Sequence, residues 1–239
     1  MARQFGGRVR FAVENYGDSP LARRFGVKRY PAIFVNDVLV ATPKDFGFYG
    51  RGEGEGGGRY APFPGEVGEE RLRADLTRVI NLLLAGRRDA ARAAAQPAEG
   101  GDLAALPEVT FTGLDGRRLT RRELLGHVVA VEFWATWCVP CRDSLAALGE
   151  LKQRYGDRLT VVTVAVQSDA DAVRRLAAEL RLPFVWALGT PDLVRALGDV
   201  SAVPTLLVFD RDGRAAASFF GAPPTLHRDV ETRLAALLR

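Results

Sequence analysis

Hydrophobic positions recur along this chain at helical spacing near its middle and in short apolar runs towards its end. Leu72, Leu76, Val79, Ile80 and Leu83 fall at i, i+4, i+7, i+8 and i+11, one face of a helix. Gly86 weakens that helix, and an Ala/Arg-rich stretch continues to Ala95. The pattern then breaks at Gln96-Pro97-Ala98-Glu99-Gly100-Gly101. Residues 96–103 therefore read as a linker between one domain at 1–95 and another at 104–239.

Beyond the linker, strands and helices alternate. Val109 to Thr112 predicts a strand, Leu114-Asp115-Gly116-Arg117 a turn, and Arg118 to Thr120 the return. Val128 to Phe133 is apolar except for Glu132, as expected of a strand buried on both faces. A helix with Leu145, Leu148 and Leu151 inward follows, and then a buried strand from Leu159 to Val166. Ser168-x-x-Asp171 predicts a capping box for a helix carrying Val173, Leu176, Ala177 and Leu180. Phe184 to Leu188 reads as a strand, and Thr190-Pro191-Asp192 opens a short helix. Leu206–Phe209 and Ala215–Phe220 flank the turn Arg211-Asp212-Gly213-Arg214, a hairpin. A closing helix begins at Thr225, with Val230, Leu234, Leu237 and Leu238 as its core positions. Such alternation predicts an α/β fold, a central mixed sheet flanked by helices.

Composition narrows the possibilities without adding to the fold. At 47% hydrophobic and 26% charged, the 239 residues can bury a core. The net charge of +4 is spread among alternating Arg, Asp and Glu, so nucleic acid is not an expected partner. No apolar run approaches the roughly 18 residues of a membrane span. Met1 to Arg8 shows no apolar core and no small-residue cleavage pattern, so no signal peptide is expected in this segment.

Chemistry gathers at Trp137-Cys138-Val139-Pro140-Cys141, where a buried strand hands over to a helix. Cys138 and Cys141 are the chain's two cysteines. A sulfur at a helix N-terminus meets unpaired N–H groups and the positive end of the dipole, which favours thiolate. Lowering its pKa from about 8.5 to about 7 corresponds to roughly 2 kcal/mol. The two-residue spacer brings the second thiol onto the next turn, within reach of a disulfide. Cys138 would then attack a partner disulfide, and Cys141 would resolve the mixed disulfide. A zinc site is the competing reading, but it would need His127 and His227, which lack paired spacing. No metal is expected. Glu132, alone in its apolar strand, could accept the Cys141 proton if burial raises its pKa, or could instead face a polar pocket or an Arg.

The run Glu132-Phe133-Trp134-Ala135-Thr136-Trp137-Cys138-Val139-Pro140-Cys141 resembles the active-site segment of the thioredoxin superfamily. Val203-Pro204-Thr205 resembles the cis-proline loop of that family, and Gly221-Ala222 the loop that completes its substrate groove. The helix, strand and short helix expected between Val166 and Pro204, with Pro107-x-x-Thr110 and Leu114-Asp115-Gly116 upstream, resemble the TlpA/ResA-like thiol–disulfide reductases. That resemblance implies a cell-envelope enzyme that reduces other proteins' disulfides, among them cytochrome c apoproteins, with an upstream protein as electron donor and no bound cofactor. It also implies that Val203 and Pro204 present backbone to a substrate strand; an ordinary trans proline is the alternative. Trp137, Val139 and Pro140 would form an apolar rim around the sulfur, with Trp134 as support under the loop. After Cys141, the family's usual Glu at +3 and Pro at +5 are here Ser144 and Ala146. Glu132 stands where thioredoxin has a buried Asp. A peptide-binding or folding module with secondary redox activity is one rival. A thiol peroxidase is another, although Val131 and Ala135 stand where its motif needs Pro and Thr.

The front of the chain repeats part of this pattern. Arg8 to Val13 predicts a strand, Pro20 to Phe25 a short helix, and Tyr30-Pro31 leads a strand to Val35. Leu21 to Pro31 parallels Leu193 to Pro204: helix, glycine, short approach, proline, strand. Residues 1–95 therefore resemble the back half of a second thioredoxin-like domain, an incomplete α+β segment without cysteines, and the native start is expected upstream. An independent small α+β module is the alternative. Gly52-Glu53-Gly54-Glu55-Gly56-Gly57 fits G-x-G-x-x-G, but no helix is expected to start there and its glutamates would repel phosphate, so it reads as a flexible hairpin loop.

Overall fold

The computed structural model describes the chain apart from Met1, residues 16–18, Lys28, residues 48–56, residues 98–102, Asp199 and Ser201. The glycine-rich stretch Gly52–Gly56 thus lies outside the described residues. Two compact units emerge, Met1–Gly100 and Gly101–Arg239. Their boundary falls inside the predicted linker. Leu103, assigned to that linker from sequence, instead packs on the core of the second unit.

In the first unit, α1 (Pro20–Arg24) is capped by Ser19, whose hydroxyl accepts the Ala22 N–H at 2.8 Å. Strands β1 (Ile33–Val35) and β2 (Val38–Ala41) form a two-stranded antiparallel sheet. Asn36, at φ 53°, makes the turn between them. Helices α2 (Glu66–Leu84) and α3 (Arg88–Ala95) bury Leu76, Val79, Ala91 and Ala95 against Val38 and Val40. The break between these helices falls at Gly86, φ 73°, where the sequence weakens. Arg59 ties the layers together. Its guanidinium donates to the carbonyls of Val40 and Ala95 at 2.6 Å each and sits 3.3 Å from buried Asp45.

Arg8 to Val13 does not form the expected strand. Residues 9–15 have no regular structure, Phe11 is half exposed and Val13 fully so. Alternating apolar residues make a strand only where a neighbouring strand takes the hydrogen bonds and a core takes the side chains. The strand predicted after Tyr30-Pro31 finds its partner in β2.

The second unit begins with a hairpin, β3 (Thr110–Thr112) and β4 (Arg118–Thr120), followed by the short α4 (Arg121–Leu124). Its centre is β5 (Val128–Trp134), buried along its whole length. There follow α5 (Val139–Tyr155), β6 (Leu159–Ala165), α6 (Ala170–Leu180), β7 (Val185–Leu188), α7 (Pro191–Ala196), β8 (Thr205–Phe209), β9 (Ala215–Phe220) and α8 (Leu226–Leu237). The sheet order is β7-β6-β5-β8-β9, with β5, β6 and β7 parallel and β8 and β9 antiparallel. Strand alternation sends Val129, Val131 and Phe133 to one core, and Val128, Ala130 and Trp134 to the other. The first core includes Leu193, Val194 and Leu197 of the α7 region; the second receives α5 and α8.

The predicted capping box at Ser168 is replaced by a different cap. Asp169 is the N-cap of α6, and its carboxylate accepts the N–H groups of Asp171 and Ala172 at 3.0 Å each. An ionised acceptor at a helix start is stronger than a hydroxyl, and it leaves Ser168 free to bond elsewhere.

Candidate active site

The two cysteines stand where β5 ends and α5 begins. Cys138 is the N-cap of α5 in extended backbone, and its Sγ accepts the Cys141 N–H at 3.3 Å. Pro140 lies in the first turn, where a backbone N–H has no helical partner to lose. Cys138 and Cys141 are joined in a disulfide, with Cα atoms 5.3 Å apart. Cys138 is 5% exposed and Cys141 is fully buried. Trp137 and Val139 are exposed at 61% and 73%, and Pro140 beside them is also exposed. These apolar side chains rim a nearly buried sulfur.

The loop that delivers Cys138 is braced from the end of β6. The Ser168 hydroxyl accepts the Thr136 N–H at 2.9 Å and donates to the Val166 carbonyl at 2.9 Å. Trp137 donates its indole N–H to the Gln167 carbonyl at 3.1 Å. Sequence reasoning missed this brace, because no local signal distinguishes a capping serine from one that reaches a loop 32 residues away.

Val203-Pro204 is a cis peptide, and Val203 packs against the cluster that contains both cysteines. The Gly221 N–H donates to the Pro204 carbonyl at 2.8 Å, with Gly221 at φ 71°, a left-handed geometry that suits glycine. The structure thus ties Gly221 to the proline segment; Ala222 is exposed immediately beyond it. Trp134 is buried in the cysteine cluster and meets Trp186 edge-on, with ring centroids 5.6 Å apart, in the supporting position expected of it. His127 stands at the opposite end of β5 from the cysteines, its Nδ1 2.8 Å from the Asp157 carbonyl.

Glu132 lies between Ala130 and Trp134 on the α5 side of β5, with Thr163 of β6 and Leu206 of β8 as its sheet neighbours. It is wholly buried, and neither carboxylate oxygen has a hydrogen-bond partner among the described residues. Burial pushes its pKa up to about 8. An arginine partner, one alternative for this residue, is not what the structure places there.

With this geometry in view, relatives become informative. The Redoxin family model matches residues 101–236. Over 116 residues the chain is 25% identical to the thiol-disulfide oxidoreductase ResA of Bacillus cereus, a stretch covering 48% of this chain and 67% of that one. It is 31% identical over 94 residues to a thioredoxin of Rhodospirillum rubrum, covering 39% and 68%. Among solved structures, a Chlorobium tepidum protein assigned as a thiol:disulfide interchange protein DsbE superposes with a TM-score of 0.51 at 26% identity, covering 59% of this chain and 99% of that one. The chain belongs to the Redoxin family and, within the thioredoxin superfamily, is TlpA/ResA-like, a class of thiol–disulfide oxidoreductases.

Proposed function

We propose that the chain reduces disulfides in other proteins, with Cys138 and Cys141 as its two-electron store. The observation that carries this reading is the disulfide seated at the first turn of α5 beneath an exposed apolar rim. In the reduced protein, the Cys138 thiolate accepts the Cys141 N–H and attacks one sulfur of a client disulfide. The client S–S bond breaks and its far sulfur leaves as thiolate. Cys141 then loses its proton to Glu132 and attacks the Cys138 sulfur. The second client thiolate departs, and the Cys138–Cys141 disulfide remains. A proton acceptor with a pKa near 8 is well matched to a thiol.

Trp137, Val139 and Pro140 would contact the client, while Val203, Pro204, Gly221 and Ala222 would line the strand of the groove beside it. A dithiol protein would return the electrons, since its two thiols carry the two electrons and two protons that reduction of the Cys138–Cys141 disulfide takes up. The TlpA/ResA-like resemblance supports an envelope location and clients such as cytochrome c apoproteins. Within the described residues, no helix is long and apolar enough to cross a membrane. Residues 1–95 read as the back half of a second thioredoxin-like domain, a reading supported by helix α1, a glycine, a cis proline at Tyr30-Pro31 and a hairpin in the same order as in the second unit.

Insulin reduction by dithiothreitol tests the catalytic reading. Cys138→Ser is expected to fall to the uncatalysed rate. Equal turnover in both proteins would leave only a peptide-binding module built on the apolar rim.

A further inference from the structure

Buried polar side chains are few in the second unit, and one of them stands apart from the rest. Among the described residues they are Glu132, Ser144, Thr163 and Thr205. The first three lie on the α5 side of the sheet. Thr205 lies on the other, in line with Leu207 and Phe209 of β8, in a core otherwise built from apolar side chains such as Val131, Phe133 and Val194. A valine of the same shape would fill this place, and a buried hydroxyl is costly unless it is bonded. Thr205 is bonded. Its Oγ1 donates to the Ala202 carbonyl at 2.7 Å, three residues back along the turn that leads into β8.

That bond decides what the turn can offer. Of the three consecutive carbonyls at Ala202, Val203 and Pro204, the first accepts the Thr205 hydroxyl and the third accepts the Gly221 N–H at 2.8 Å. Val203, between them, has neither its N–H nor its C=O in a hydrogen bond among the described residues. Its side chain packs on the cluster that holds both cysteines. The chain is thus tied down on either side of one residue whose backbone donor and acceptor are both free.

We propose that Thr205 is a positioning residue for client binding, its hydroxyl holding Ala202 so that the Val203 backbone meets an extended client strand already oriented. This role rests on the client groove proposed above. Pairing with an extended peptide gains main-chain hydrogen bonds, and ordering a loose loop at the moment of binding subtracts from that gain. With Ala202 fastened beforehand, folding has already met the ordering cost. Thr205 is fully buried, so it acts on the client only through Val203. The effect is confined to clients with a peptide backbone. A small aromatic disulfide has no strand to pair and reports attack by Cys138 alone.

Rapid mixing tests the role. The full chain is reduced, freed of reductant and mixed with either a fluorescent peptide disulfide of extended sequence or a coloured aromatic disulfide. Thr205→Val should raise the half-saturating concentration of the peptide about fivefold. Its limiting rate, and the rate with the aromatic disulfide, should not change, and Thr205→Ser should restore wild-type behaviour. An unchanged half-saturating concentration overturns the role. So does an equal loss with both substrates, which marks a hydroxyl that only holds the fold together.

Methylating the peptide's amide nitrogens one at a time separates Thr205 from the groove itself. In wild type, one amide should be sensitive, its methylation raising the half-saturating concentration about tenfold. In Thr205→Val the same methylation should cost only about twofold, because the unfastened turn is ordered only by the pairing that the methyl group removes. No sensitive amide in wild type overturns the groove reading, and the role of Thr205 falls with it. A sensitive amide whose loss is undiminished in Thr205→Val leaves the groove standing and overturns the role of Thr205 alone.

Discussion

Two proline-led hairpins in this protein follow the same order of helix, glycine, proline and strand and end in different places. Leu21 to Pro31 leads into β1, and Leu193 to Pro204 leads into β8; both pass through a short helix and a glycine and end in a cis proline. Yet every residue of β8 is buried, while β1 is half-buried throughout. The difference is the neighbour. β8 pairs with β5, the fully buried centre of a five-stranded sheet, whereas β1 pairs with β2 alone. A hairpin gains a buried second face only when other strands extend it. Chemistry follows the same division, because β5 delivers the cysteines to the proline loop of the second unit, and the first unit has no cysteine to deliver.

The largest effect that would sharpen this contrast is Cys138→Ser, which should abolish catalysed insulin reduction while leaving the first unit folded. Next in size is a pH effect confined to the second unit. Glu132 has a native pKa near 8 against an ordinary 4.5, so the native state holds a proton that the unfolded chain releases between those values. Its contribution to stability is complete below about pH 4.5 and falls as pH rises toward about 8. Denaturant titrations should show wild type losing on the order of a few kcal/mol across that window and Glu132→Gln losing much less; parallel slopes would refute the burial reading.

Gly68→Ala strikes the other unit. A Cβ there would meet the Tyr60 carbonyl oxygen at 2.0 Å, closer than any packed atom tolerates. The first unit should lose about 2–3 kcal/mol, read as faster hydrogen exchange in α2. Insulin reduction should persist, and its loss would show that the units do not behave separately. Ser168→Ala is the smallest. Removing the brace on the Thr136 N–H should cost about 1 kcal/mol in thermal unfolding and slow reduction a few-fold.

Much of this was legible in residue order, for reasons that differ by element. β5 was readable because a run from Val128 to Phe133 broken only by Glu132 suits a strand covered on both faces. Pro191 behind the Thr190 cap marked α7, and the Thr190 hydroxyl does accept the Leu193 N–H. Arg8 to Val13 misled because alternation records what a strand would bury, not whether a partner exists. Ser168 misled because capping and loop bracing use the same hydroxyl. Thr205 carried no signal of its own, since a threonine after a proline looks the same whether or not its hydroxyl reaches back to the Ala202 carbonyl.

Sequence alone placed Cys138 at a strand-to-helix junction and Cys141 one turn later, since spacing and hydrophobic rhythm are local properties of the chain. Tertiary structure alone brought Val203 against the cysteines, Gly221 to Pro204, Ser168 to Thr136 and Thr163 to Glu132. Those meetings join residues far apart in the chain, and only the packing of the five-stranded sheet between helices determines which of them face one another.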